Sequence, residues 1–257
     1  MVFETKDNVD LFYQIDGEGE VLVMLNGLWG DHSSWNKQVE FFIKNYQCIR
    51  LDHRGVGQSE KWAGHYSYDL HAQDVYELIE YLGISKCHIL GVCHGGMTAV
   101  TFVLNYPEKV SSIAINGTQI LKSFKHQQIY AGWKNLLKTT DFKSLYQATI
   151  LPQIMSSRFL EANRNRLEFI AQAAQSRVEI KSALKLIDAC YRYGFDENDI
   201  QETQIPALFL SGDEDGFITK AVIESYTKYW KNSTYYNFKN CGHFPQNEAA
   251  DEYNRVV

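Results

Sequence analysis

Apolar residues in the first 118 positions alternate between short continuous runs and stretches at helical spacing. Runs of about four to eight apolar residues bounded by turn signals are typical of buried strands, whereas apolar residues every three or four positions are typical of amphipathic helices. The pattern predicts strands at 9–15, 21–25, 46–51, 87–92 and 110–115, and helices at 34–44, 69–82 and 94–106. Strands that alternate with helices in this way indicate a mostly parallel sheet with helices on both faces.

The strand rhythm is lost between residues 119 and 200, where only helical stretches rich in Lys, Gln, Asn and aromatic residues are found. The alternation then resumes, with strands at 207–210 and 234–238, a helix at 219–230 and a final helix from about Pro245. We therefore predict an α/β core formed by residues 1–118 and 201–257. Residues 119–200 would form a helical cap over the carboxyl ends of the strands, where open α/β sheets bind ligands.

Composition narrows the protein class. The chain has 257 residues, of which 45% are hydrophobic, and a net charge of −6, which argues against a nucleic-acid partner. Apolar runs stay well short of the roughly 18 residues that span a bilayer, and the first residues lack the features of a signal peptide. Five irregularly spaced cysteines argue against a disulfide framework. We expect a cytoplasmic protein without a membrane span.

The segment from Gly91 to Gly96, with the sequence GVCHGG, carries the strongest chemical signal. It joins a predicted strand to a predicted helix, and the pattern G-x-nucleophile-x-G is typical of a sharp turn that presents a nucleophile, here Cys93. Glycines on both sides avoid Cβ clashes, and the helix N-terminus stabilises negative charge. The alternative is that Cys93 is simply a small buried residue at a glycine-rich turn.

Two later loops offer partners for such a nucleophile. An apolar strand runs into Ser211-Gly212-Asp213-Glu214-Asp215, and His243 follows 28 residues after Asp215. A nucleophile requires a base, and the base requires an orienting carboxylate. Asp213 and Asp215 both remain candidates for that carboxylate on this reasoning alone.

Five motifs in this order make the chain resemble the α/β-hydrolase superfamily over nearly its whole length. They are LNGLW at 25–29, DHRGVGQS at 52–59, GVCHGG at 91–96, GDED at 212–215 and GH at 242–243. The resemblance implies Cys93 as nucleophile, His243 as base and, by the G-x-x-D register, Asp215 as the orienting acid. It also implies an oxyanion hole made by the backbone N–H groups of Leu28 and His94.

Two features depart from the superfamily pattern. Asn26-Gly27 replaces the usual His-Gly of the oxyanion loop, and the nucleophile is cysteine, as in polyhydroxyalkanoate synthases and dienelactone hydrolases. An acyl-cysteine is itself a thioester, so cysteine favours an enzyme that takes an acyl group from a thioester and releases it by hydrolysis or transfer. The alternatives are an esterase or lactonase acting on a small free ester, and a non-catalytic ligand-binding member of the fold.

Charge and aromatic residues in the cap suggest what it binds. Residues 119–195 hold 12 Lys/Arg and 5 Asp/Glu, a net charge of +7, which falls to +3 when the window extends to residue 204. A basic cap could attract an acyl carrier protein or coenzyme A, although such residues commonly just solvate helices. Trp29, Tyr130 and Trp133 are candidates to line an acyl pocket, or else belong to the core.

The remaining cysteines and histidines give weaker signals. Cys241 is a candidate redox partner of Cys93, although a packed loop thiol is the simpler interpretation, and Cys190 has no partner that the sequence identifies. The histidines show no metal-binding spacing, and Gly55-Val56-Gly57 lacks the third glycine of a dinucleotide motif, so we expect neither a metal nor a cofactor. Because final helices in the superfamily often run further, the resemblance leaves open a continuation beyond Val257.

Overall fold

A single eight-stranded sheet forms the centre of the computed structural model, which describes residues 1–61 and 63–257. The order across the sheet is β1-β2-β4-β3-β5-β6-β7-β8. The strands are β1 Val2–Glu4, β2 Asp10–Asp16, β3 Glu20–Leu25, β4 Tyr46–Leu51, β5 Cys87–Val92, β6 Val110–Asn116, β7 Ala207–Gly212 and β8 Ser233–Phe238. The strands from β4 to β8 pair in parallel, so their carboxyl ends lie along one edge.

The first two strands depart from this parallel arrangement. β1 pairs antiparallel with β2, which in turn pairs antiparallel with β4. β1 has only three residues, too short for an alternation pattern to reveal it, and the sequence did not predict it. The predicted strands 46–51 and 87–92 occur with those same bounds.

Helices pack against the sheet in two groups. α1 contacts α13 and β4, whereas α2 contacts α3, which lies against β3, β5 and β6. Their bounds are α1 Asn36–Phe42, α2 Tyr68–Tyr81, α3 His94–Asn105, α11 Lys220–Ser225, α12 Pro245–Glu248 and α13 Ala250–Val256. α3 is the most buried of these, because apolar or small residues occupy nearly all of its positions.

A second set of helices lies between β6 and β7. They are α4 Phe124–Leu136, α5 Phe142–Leu145, α6 Leu151–Ile154, α7 Ser157–Ala162, α8 Leu167–Ser176, α9 Ile180–Arg192 and α10 Glu197–Gln201. α4 packs on α9, and a bridge between Leu121 and Phe195 ties the two ends of this segment together. Ser123 caps α4 by accepting a hydrogen bond from the backbone N–H of His126.

Several predicted helices are interrupted. The predicted helix 34–44 begins as a 3₁₀ turn, His32–Trp35. Asp31 caps this turn, because its carboxylate accepts a hydrogen bond from the N–H of Ser33. The final helix breaks at Ala249, whose φ of −139° and ψ of 51° are not helical and separate α12 from α13. In the part of the chain that the structure describes, every helix is too short or too polar to cross a lipid bilayer.

Candidate active site

Cys93 lies at a strained turn between β5 and α3. Its φ of 51° falls in the left-handed region that non-glycine residues rarely adopt. A Cβ at Gly91 would lie 2.8 Å from the carbonyl oxygen of Gly95, and one at Gly95 would collide with the backbone carbonyl of Leu25. The two glycines therefore allow this turn, because no side chain fits where β3, β5 and α3 meet.

His243 and Asp215 lie side by side at the same edge of the sheet. Nδ1 of His243 is 2.7 Å from Oδ2 of Asp215. The other carboxylate oxygen, Oδ1, accepts hydrogen bonds of 2.9 Å from the backbone N–H groups of Phe217 and Ile218. Each side chain is at most 1% exposed, so water does not compete for these bonds. Asp215 thereby fixes the orientation of the imidazole ring.

Burial, Asp215 and Cys93 act together on the pKa of His243. Burial alone lowers this pKa, but Asp215 and Cys93 raise it to about 10 through electrostatic attraction and side-chain hydrogen bonding. The Nε2 atom has no nitrogen or oxygen partner among the described residues. The surroundings of the ring therefore favour its protonated form.

Asp213, the competing acid, points elsewhere. Its Oδ1 accepts from the backbone N–H of Cys241 at 3.4 Å, and its Oδ2 lies 3.9 Å from Nζ of Lys239. The structure therefore brings Asp215, and not Asp213, against His243.

Backbone contacts hold the histidine loop in place. The carbonyl of His243 accepts from Nδ2 of Asn116 at 3.0 Å, and its N–H donates to the carbonyl of Ile154 at 2.7 Å. Gly117, at a φ of 55°, leaves space for the imidazole, because a Cβ there would lie 2.6 Å from Cε1 of His243. No sequence motif pointed to the contribution of Asn116 or Gly117.

A small apolar pocket of about 60 Å³ opens beside Cys93 and His243. The predicted residues Leu28, Trp29, Tyr130 and Trp133 all line it. Five further lining residues were not predicted: Tyr146, Ile150, Ile154, Phe217 and Phe244. The last two each follow a site residue closely along the chain, which is the signal that could have identified them.

Asn26, which replaces the usual histidine of the superfamily pattern, holds the loop that carries Leu28. Nδ2 of Asn26 donates a 2.9 Å hydrogen bond to the carbonyl of Leu51 at the end of β4. His94 is the first residue of α3, so its N–H has no acceptor within that helix. Asn26 therefore supports the loop although it is not histidine.

Arg54 is buried and binds two carboxylates from other parts of the chain. Its guanidinium donates to Oδ2 of Asp7 at 2.9 Å and, through Nε, to Oδ2 of Asp74 at 2.7 Å. The arginine and Asp74 are both almost fully buried. Arg54 therefore holds its own loop against Asp7 and Asp74.

The five cysteines are all free and buried. The charged groups around Cys241 are Glu248, Arg158, Glu252 and Asp213, and burial raises its pKa to about 11. Cys190, which had no partner in the sequence, has its Sγ 3.1 Å from the hydroxyl of Tyr68.

Three histidines that the sequence did not connect lie together behind the turn at Cys93. The ring centroids of His53, His71 and His94 are 5.0 to 5.1 Å apart. Burial lowers the pKa of His53 to about 4 and holds those of His71 and His94 well below the usual value, so the rings are neutral at pH 7. His53 is 1% exposed and lies in the interior.

Comparison with known proteins extends this picture. The family described as alpha/beta hydrolase fold matches residues 20–250. A 2-hydroxy-6-oxononadienedioate/2-hydroxy-6-oxononatrienedioate hydrolase from Burkholderia vietnamiensis is 26% identical over 278 residues, which cover 100% of this chain and 92% of the relative.

Solved structures agree on the architecture. An alpha/beta hydrolase enzyme from a Medee basin deep-sea metagenome library superposes with a TM-score of 0.92 at 25% identity, covering 100% of this chain and 95% of the other. The enol-lactonase from Burkholderia xenovorans gives a TM-score of 0.90 at 22% identity, covering 100% and 98%. The predicted fold is confirmed, and the chain belongs to the alpha/beta hydrolase family of hydrolytic enzymes.

Proposed function

We propose that the protein is a cysteine-dependent acyl hydrolase in which Cys93 is the nucleophile, His243 the acid and base, and Asp215 the orienting carboxylate. The observation that carries the proposal is the His243 ring, held 2.7 Å from Asp215 and polarised by Asp215 and Cys93 together. A protonated imidazole beside a thiolate is the activated form of a cysteine nucleophile.

The proposed reaction has two halves. The Cys93 thiolate attacks the acyl carbon, the negative oxygen accepts hydrogen bonds from the N–H groups of Leu28 and His94, and Nε2 of His243 gives its proton to the leaving thiol or alcohol. In the second half, water loses a proton to His243 as it attacks the acyl-cysteine. Collapse of that adduct releases the acid and restores the thiolate and the imidazolium.

The pocket supports an acyl group of modest size. The pocket is small and is lined almost entirely by aromatic and aliphatic side chains. We further propose that residues 119–200 act as the cap of this pocket, since Tyr130 and Trp133 reach it from α4. The indole Nε1 atoms of Trp29 and Trp133 have no protein acceptor among the described residues, which suits a substrate with polar substituents.

A thioester is the substrate class that we favour, because attack by a thiolate exchanges one thioester for another at little energetic cost.

A small free ester or lactone is the second candidate, and ion pairs in the cap favour it over a carrier-linked substrate. Two cations that would attract an anionic carrier, Lys122 and Arg164, are paired with Asp196 and Glu161. The carrier-protein hypothesis gains no support from this arrangement.

The test uses one acyl group in three forms: butyryl-coenzyme A, the butyryl thioester of N-acetylcysteamine, and p-nitrophenyl butyrate. We expect the small thioester to be turned over with the highest kcat/KM, and denaturing mass spectrometry after rapid quenching to show a butyryl adduct that is absent from Cys93→Ala. A Cys93→Ala variant as active as wild type would refute the nucleophile. Absence of turnover and of an adduct would favour a ligand-binding protein instead.

A further inference from the structure

Three buried histidines converge from separate elements at a place outside the proposed catalytic triad. His53 follows β4, His71 lies in α2 and His94 begins α3. Each is at most 1% exposed. One ring nitrogen from each lies within 4.8 Å of those of the other two. Sequence spacing could not predict this group, because 18 and 23 residues separate its members.

The ring nitrogens in this group lack partners within the protein. Neither nitrogen of His53, neither nitrogen of His71, nor Nε2 of His94 has a hydrogen-bond partner among the described residues. Buried polar atoms are normally satisfied, and each unsatisfied one costs about 1–3 kcal/mol. Five such atoms in one place indicate that the group binds something the polypeptide does not supply.

His94 is oriented in the way that metal-binding histidines usually are. Its Nδ1 lies 2.7 Å from the hydroxyl of Tyr68, and that hydroxyl is also 3.1 Å from Sγ of Cys190. A histidine that ligates a metal typically donates its other ring N–H to an outer partner, which fixes the tautomer. The lone pair of Nε2 is then available to the group.

The charges around the group are compatible with a bound cation. Arg54, whose charge acts on His71, is itself paired with Asp7 and Asp74. Three neutral imidazoles are ligands that zinc and its neighbours in the first transition row accept readily, commonly with a fourth position left open.

We propose that His53, His71 and His94 bind one divalent transition-metal ion of the zinc class, directly behind the turn that carries Cys93. Zinc–nitrogen bonds of about 2.0–2.1 Å place tetrahedral ligands roughly 3.4 Å apart, so the rings would close around the ion by small side-chain rotations. The ion would join the β4 loop, α2 and α3, and would stabilise the folded state through binding. This site lies beyond the proposed hydrolase function and does not depend on it.

The experiment measures metal content after folding in the presence of zinc, because the ligands are buried. Wild-type protein is refolded with Zn²⁺, desalted and analysed by inductively coupled plasma mass spectrometry, beside His71→Gln and His53→Gln. The matched control is His126→Gln, a buried histidine whose two nitrogens are already bound to Ser123 and to the carbonyl of Phe217. We expect about one zinc per chain in wild type and in His126→Gln, and less than a tenth of that in the other two.

Spectroscopy and unfolding give a second readout. Refolding with Co²⁺ should give the intense visible absorption of a tetrahedral site in wild type, and metal should raise the thermal midpoint of wild type but not of His71→Gln. Wild type without stoichiometric zinc, or His71→Gln with the same zinc content, would overturn the proposal. If neither ligand variant folds, the wild-type cobalt spectrum decides, because absent or octahedral bands contradict a three-histidine site.

Discussion

At the scale of single residues, two neighbouring acids make different contacts. Asp215 is bonded to His243, whereas Asp213 contacts the loop at Cys241. We predict that Asp215→Asn lowers kcat by about 10³–10⁴, because an amide at this position favours the wrong imidazole tautomer and cannot stabilise its cation. Steady-state kinetics with the small thioester measures the effect.

Asp213→Asn is the matched control for that substitution, since it changes the same functional group two residues away. It should retain kcat within about threefold. Equal losses in both variants would mean that the acidic loop acts through its folding rather than through one carboxylate.

The raised pKa of His243 predicts a pH dependence of stability. In the proposed thiolate–imidazolium pair the folded protein holds one proton up to a pH of about 10, whereas the unfolded chain loses its histidine proton near 6.5 and its cysteine proton near 8.5. The folded state therefore binds more protons than the unfolded state only above about pH 8.5, and stability falls as the pH rises from there toward 10. We expect the free energy of unfolding to fall more steeply between about pH 8.5 and 10 in wild type than in His243→Gln. Urea titrations across that range test this, and parallel curves for the two proteins would contradict it.

At the scale of elements, the loop after β6 must leave room for the histidine ring. We predict that Gly117→Ala lowers kcat/KM at least 100-fold and costs about 1–3 kcal/mol of stability, because its φ is positive and its Cβ would meet the His243 ring. Kinetics and urea unfolding measure both effects.

Gly132→Ala provides the control for the same chemical change. Gly132 lies inside α4 with no atom within 4 Å of the added Cβ. The substitution should leave activity unchanged and add about 1 kcal/mol through helix propensity. Loss of activity in Gly132→Ala as well would show that the effect of an added methyl group is not specific to the β6 loop.

Sequence patterns predicted elements best where the local signal and the tertiary contacts agree. β5 and α3 meet at a glycine-rich turn, and both were predicted within one residue of their bounds. The last helix was predicted as continuous because no Gly or Pro lies at the break at Ala249. The helix propensities of the residues do not predict such a break.

At the scale of the whole molecule, Arg54 connects the N-terminal loop, the loop after β4 and α2. We predict that Arg54→Met lowers the free energy of unfolding by about 3–5 kcal/mol, since it leaves the Asp74 carboxylate buried without its cation. Arg164→Met, which removes an exposed pair with Glu161, should cost less than about 0.5 kcal/mol. Similar denaturation midpoints for the two variants would refute this role of Arg54.

The two groups of site residues differ in how far the sequence could predict them. Cys93, Asp215 and His243 each lie in a short motif whose loop follows a strand, so parallel strands bring them to one edge of the sheet. The group formed by His53, His71 and His94 depends on side-chain packing between a loop and two helices. No local pattern encodes that packing, which is why only the structure could bring these residues together.

The order of strands also determines when activity can arise during folding. Outward from β3, the strands β5, β6, β7 and β8 lie across the sheet in the order in which they occur along the chain. His243 follows the last of them. Cys93 therefore follows the fifth of the eight strands, and His243 follows the last. Recovery of turnover after dilution from denaturant thus reports the docking of β8, whereas far-ultraviolet circular dichroism also follows every earlier step.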